Sequence, residues 1–136
     1  MEKKRRMIEE LGLDKMSIVN IDQFFSKLFE ARDVLHLTHI KSPKMSYAQH
    51  EALGGAYEDM VSIVDGLIEG YTGLYYCPKI KLVEVSYVED PLKYAESFYE
   101  MLKEGRSLFA DSWILSEIDV LMKIFAILIY KLKYLK

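Results

Sequence analysis

The stretch Gly73-Leu74-Tyr75-Tyr76-Cys77-Pro78-Lys79-Ile80-Lys81-Leu82-Val83-Glu84-Val85-Ser86-Tyr87-Val88-Glu89-Asp90 decides what kind of fold this chain has. Lys79-Ile80-Lys81-Leu82 alternates polar and apolar residues as a strand does. One short alternation makes no sheet, because a strand needs partners, so the stretch is expected to be an extended connection. Gly73 ends the helical segment before it, and Asp90-Pro91 supplies an N-cap and a first-turn proline to the helical segment after it. Fully extended, residues 73–90 reach up to ~60 Å. A helix of ~25 residues is ~37 Å long, so this link can run the length of a helical bundle.

The segments on either side read as helices. From Ser17 or Asn20 to about Lys41, the residues Ile21, Phe25, Leu28, Leu35 and His39 fall on one stripe at helical spacing. Ser42-Pro43 breaks that helix, since the residue before a proline is pushed out of helical geometry. A second helix starts at Ser46, with Gln49 completing a capping box, and continues to about Tyr71. Beyond the link, a third helix runs from Pro91 to about Lys103, with Gly105 near its end. A fourth starts near Asp111 or Ser112 and reaches the C-terminus. Ahead of all four, Glu2 to Leu11 can form a short helix that Gly12 stops, so residues 1–16 are an N-terminal extension. Short links make the first and second helices antiparallel neighbours, and likewise the third and fourth. The expected fold is all-α: one four-helix bundle domain over residues 1–136, with a single long crossover between the second and third helices. That is the ferritin-like arrangement.

Composition narrows the function classes. A chain of 136 residues that is 51% apolar and 29% charged is long enough for a core and has the balance of a globular protein. A net charge of −3 selects neither a polyanionic nor a polycationic partner. Lys3-Lys4-Arg5-Arg6 is a local exception, expected as a solvated terminus; four charges per chain argue against nucleic acid unless many subunits act together. Cys77 is the only cysteine, which excludes an internal disulfide and a cysteine-rich metal site and fits a reducing, cytoplasmic setting. The N-terminus lacks the apolar run of a signal peptide. The most apolar segment, Trp113 to Leu135, carries Glu117, Asp119 and Lys123 in its first half. Each would cost roughly 2.5–3.5 kcal/mol near a bilayer centre, so a buried core helix is expected and no membrane span. No hydrolase motif or glycine-rich phosphate loop occurs, and Cys77 has no histidine nearby in sequence.

The chemistry gathers on the second helix. Asp65 and Glu69 are four apart and share a face. His50 lies about 60° from Asp65 and about 100° from Glu69 around the axis, yet ~22 Å below the acids along it, so one chain cannot bring both ends to one ion. Ten tyrosines is a high count, and Tyr57, Tyr71, Tyr75 and Tyr76 are candidates to line an interface. Glu96, Glu100 and Glu104 recur at four-residue spacing as a solvated face. A di-iron site within one bundle would use Glu-x-x-His, which is absent; Asp33 and His36 have that spacing but no mate.

Leu35-His36-Leu37-Thr38-His39-Ile40-Lys41, then His50-Glu51, then Asp65 and Glu69, resembles the Dps family of mini-ferritins, over roughly residues 30 to 73. The resemblance implies a homo-oligomer in which a two-fold axis near residue 58 sets His50 of one chain against Asp65 or Glu69 of its mate. Iron would then be bound by His39, His50, Asp65 and Glu69 and oxidised between the subunits. The match departs from the family in three places. The link between His39 and His50 is one residue shorter, with His36 as the alternative first ligand. Ile40 replaces a frequent tryptophan, and Gly54 stands where the family's third ligand, an aspartate, belongs. The alternative implied by those departures is a ferritin-like structural or interaction module, as in an uncharacterised phage-encoded branch, that has lost the metal site. Gly54-Gly55 costs ~1 kcal/mol each relative to alanine in a helix, which close helix contact would explain.

Overall fold

The computed structural model describes residues 20–41 and 45–136. Four long helices fill most of these residues: α1 (Ile21–Lys41), α2 (Tyr47–Leu74), α3 (Pro91–Gly105) and α4 (Ser112–Tyr134), with a 3-10 turn, Arg106–Leu108, after α3. The expected short helix at Glu2 to Leu11, the Ser17 start and the Ser42-Pro43 break lie outside the described residues.

The helix starts obey local chemistry. The Asn20 side chain accepts from the Gln23 N–H at 2.9 Å, Ser46 from the Gln49 N–H at 3.2 Å, and Asp90 from the Lys93 N–H at 3.0 Å. Each satisfies a donor that the first turn leaves without a partner. At the other end of α2, Gly73 does not stop the helix. The helix continues to Leu74, and the Tyr75 N–H closes it by bonding the Tyr71 carbonyl.

α1 packs on α2, α2 on α4 and α4 on α3, with a lighter contact between α1 and α3, so the order around the bundle is α1, α2, α4, α3. Phe24, Phe25, Leu28, Leu53, Met60, Phe98, Leu121 and Phe125 are fully buried between them. At ~1.5–3 kcal/mol per fully buried large side chain, this core supplies the main favourable term. Gly105 is required for it: a β-carbon there would overlap the Phe24 ring.

Residues 75–90 are extended and contain no strand. The reason is where their N–H groups go. Lys79 donates to the Asp22 carboxylate at 3.2 Å, Lys81 to the Ser26 hydroxyl at 3.0 Å and Val88 to the buried Thr38 hydroxyl at 3.0 Å. Side chains of α1 thus take the place of a neighbouring strand. From Asp22 to Thr38, α1 rises ~24 Å, which nine extended residues cover. The link therefore climbs α1 from one end of the bundle towards the other.

α4 is the core helix expected, buried along one face. Ile114, Ile118, Leu121, Phe125, Leu128 and Leu132 face the core, while Val120 and Ile127 are 42% and 43% exposed. Among the described residues no helix is long and apolar enough to cross a membrane.

Candidate functional site

His39 ends α1 and His50 opens α2, so the hairpin between them brings two imidazoles to one place. Their rings stack with centroids 3.8 Å apart and planes 19° from parallel. His39 Nδ1 lies 2.6 Å from the His50 carbonyl, and His50 Nδ1 lies 2.8 Å from the His39 carbonyl. A carbonyl only accepts, so both Nδ1 atoms carry hydrogen and donate. The His39 carbonyl belongs to the last turn of α1, where no intrahelical partner exists. The pair is a reciprocal clasp that closes the α1–α2 hairpin through its backbone.

Gly54 belongs to the same arrangement. A β-carbon at Gly54 would lie 2.7 Å from His39 Cε1 and 2.9 Å from Nδ1. The position at which the resemblance expects an aspartate is the seat of the His39 ring. A side chain there would displace the imidazole from the His50 carbonyl. Gly55 is different, since a β-carbon on it would meet nothing within 4 Å. The close contact expected for Gly54-Gly55 exists within the chain for Gly54 alone.

The acidic pair lies elsewhere. Asp65 Oδ1 is 3.9 Å from Arg32 Nη1 on α1 and half exposed. Such a pair contributes ~0–1 kcal/mol. Arg32 also approaches Asp33 at 3.6 Å and lies over the Phe29 ring at 4.8 Å. Glu69 is exposed and has no ion pair or hydrogen bond among the described residues. Within one chain the structure thus joins His39 to His50 and leaves Asp65 and Glu69 apart from them. No group of three or more His, Cys, Asp or Glu side chains among the described residues could hold a metal ion. His36 stacks on Tyr57 with centroids 4.2 Å apart. Glu96, Glu100 and Glu104 are exposed, as their spacing predicts.

The remaining tyrosines named from the sequence are engaged at the opposite end of the hairpin. Tyr71 is buried against Phe25, with centroids 5.4 Å apart, and against Phe109 at 6.0 Å. The Tyr75 hydroxyl donates to Asp111 at 2.6 Å, and the Tyr76 hydroxyl to Asp22 at 3.3 Å. The hydrogen bond to the Asp111 carboxylate holds the Tyr75 phenol above the ordinary tyrosine range. Loss of hydration, followed by a hydrogen bond with Tyr71, pushes the Tyr76 phenol up to about 12. On α3, burial raises the Tyr94 phenol, helped by the charge of Glu30. Sequence reasoning missed the clasp. Its signal was a histidine on each side of a short helix link, with a glycine four residues after the second.

Comparison of the chain with family models, curated proteins and solved structures returns no match.

Proposed function

We propose that this chain is an oligomeric structural or interaction module on a ferritin-like four-helix scaffold, in which the histidines hold the α1–α2 hairpin closed. The observation that carries the reading is Gly54. Its missing side chain makes room for His39, and His39 spends its Nδ1 hydrogen on the backbone of His50. A glycine that is needed for a structural ring position accounts for the missing aspartate without a metal. Arg32 beside Asp65 supports the same reading, since it supplies a countercharge in place of a cation.

A second reading keeps iron as substrate at an inter-subunit site formed by His39 and His50 of one copy and Asp65 and Glu69 of another. Two observations favour it. With both Nδ1 atoms donating, neutral imidazoles keep their Nε2 lone pairs, and neither Nε2 has a hydrogen-bond partner among the described residues. Glu69 is also free to accept a cation.

Anomalous scattering from iron-soaked crystals, together with ferrous-iron oxidation followed by absorbance, separates the two. The module reading expects no iron peak beside His50 and no oxidation above the buffer rate. A peak shared by His50 and the Asp65 or Glu69 of a second copy overturns it in favour of iron oxidation.

A further inference from the structure

α2 and α4 lie side by side, and a groove between them is lined by Gly55 and Asp59 from α2 and by Ile124, Ile127 and Lys131 from α4. The two walls differ in height and in charge. α2 carries Glu51, Glu58, Asp59, Asp65 and Glu69 and no lysine or arginine. Its outward positions beside the groove are small, and β-carbons at Gly55 and Gly66 would point into open space. The α4 wall is raised. Trp113, Val120, Ile127 and Tyr134 are exposed and recur every seven residues, the period of a helix seam awaiting a partner. Lys123 and Lys131 flank that seam; α4 also carries Glu117 and Asp119, the latter paired with Arg106, so its charge is mixed where that of α2 is wholly acidic.

From this asymmetry we infer that the α2–α4 face docks a second copy of the same chain about a two-fold axis parallel to the helices. The inference rests on the oligomeric reading above and names its interface. Only that axis lays α4 of each copy over α2 of the other, ridge into trough and lysine against carboxylate. A two-fold across the helices would set α2 on α2, acid against acid.

An axis along the helices preserves height, so contacts within one chain set the register between copies. Trp113 lies against Gly70, where a β-carbon would be 2.7 Å from its ring. Counting from that contact in opposite directions brings Val120 level with Ile63 and Ile127 level with Ala56. The outward small residues at those levels are Ser62 and Gly55. Ile127 therefore seats over Gly55 of the other copy, Val120 over Ser62, and Lys123 reaches Asp59. The face is about 34 Å long and about 20 Å wide, or roughly 700 Å² per copy, against the ~800 Å² per partner of standard-sized interfaces.

Sedimentation velocity on the full chain from about 1 to about 100 µM tests this, with circular dichroism to confirm that each variant is folded. The wild type should sediment as a dimer or an assembly of dimers. Ile127→Glu, with Val120→Glu as a second probe, should weaken association by ~100-fold, because each buries an unpaired negative charge against the acidic α2 of the other copy. Asp59→Lys and Lys123→Glu should each weaken it by ~5–10-fold, and the double swap should restore it. A wild type that stays monomeric throughout overturns both the oligomeric reading and this interface. An oligomer indifferent to Ile127→Glu and Val120→Glu overturns the interface alone. Loss with Ile127→Glu but no rescue by the double swap overturns the α4-over-α2 register.

Discussion

The two ends of the α1–α2 hairpin are closed by opposite means. At the His39–His50 end, two polar rings bond backbone carbonyls, and a glycine yields the space. At the Tyr71 end, Phe24, Phe25 and Tyr71 meet Phe109 edge to face, Tyr71 tilts against Phe25, and the outer tyrosines bond carboxylates from α1 and from the start of α4. The aromatic end draws on apolar burial, which is large and tolerant of direction. The histidine end draws on hydrogen bonds, which are smaller but fail when geometry shifts by an ångström. In the sequence the two ends were read as half of a metal site and as a patch of tyrosines for an interface.

Three experiments would break or sharpen that contrast. The largest effect belongs to the aromatic end. Phe25→Ala removes a fully buried ring in contact with Phe24, Tyr71 and Phe109 and should cost ~3–5 kcal/mol, lowering the thermal midpoint by well over ~10 °C. A loss under ~1 kcal/mol would mean that this end is not the stronger closure.

Next comes Gly54→Asp, which restores the residue that the Dps resemblance expects. Overpacking against the His39 ring should cost ~1–3 kcal/mol by denaturant unfolding. Adding His39→Ala should recover part of that loss, since the obstructing ring is gone, and the two changes should be visibly non-additive. If Gly54→Asp is tolerated and the protein gains iron oxidation, the clasp is not what holds the histidines.

The smallest effect is alkaline. Tyr76 has a phenol raised to about 12 in the folded state, against an ordinary value of 10.0. Its neutral form therefore contributes stability that is whole below pH 10 and is lost as pH rises through about 12. Absorbance titration of phenolate should show several late-ionising tyrosines, Tyr75 and Tyr94 among them, and Tyr76→Phe should remove the component near 12. The histidine end should contribute nothing to that window.

Much of the helical framework was legible because its determinants are local. Asn20, Ser46 and Asp90 cap within three residues of themselves, and the apolar stripe of α1 repeats at helical spacing. Gly73 misled because α2 closes through a Tyr75 N–H to Tyr71 bond one turn long, with no need of a left-handed residue at the end. α4 was legible as a core helix, but which of its faces stays open was not. Its composition is apolar enough for burial on all sides, but α2 and α3 cover only part of its circumference.

What the sequence determined by itself is four helices, their order, and a link long enough to climb the bundle, since capping, periodicity and chain reach are properties of neighbours along the chain. What only the tertiary structure decided is the meaning of single residues. The link stays out of a sheet because Asp22, Ser26 and Thr38 of α1 accept its N–H groups across fifty or more residues. Gly54 is a seat for His39, and the histidines bind carbonyls, because hydrogen bonds and close contacts depend on positions in space that spacing along the chain does not specify.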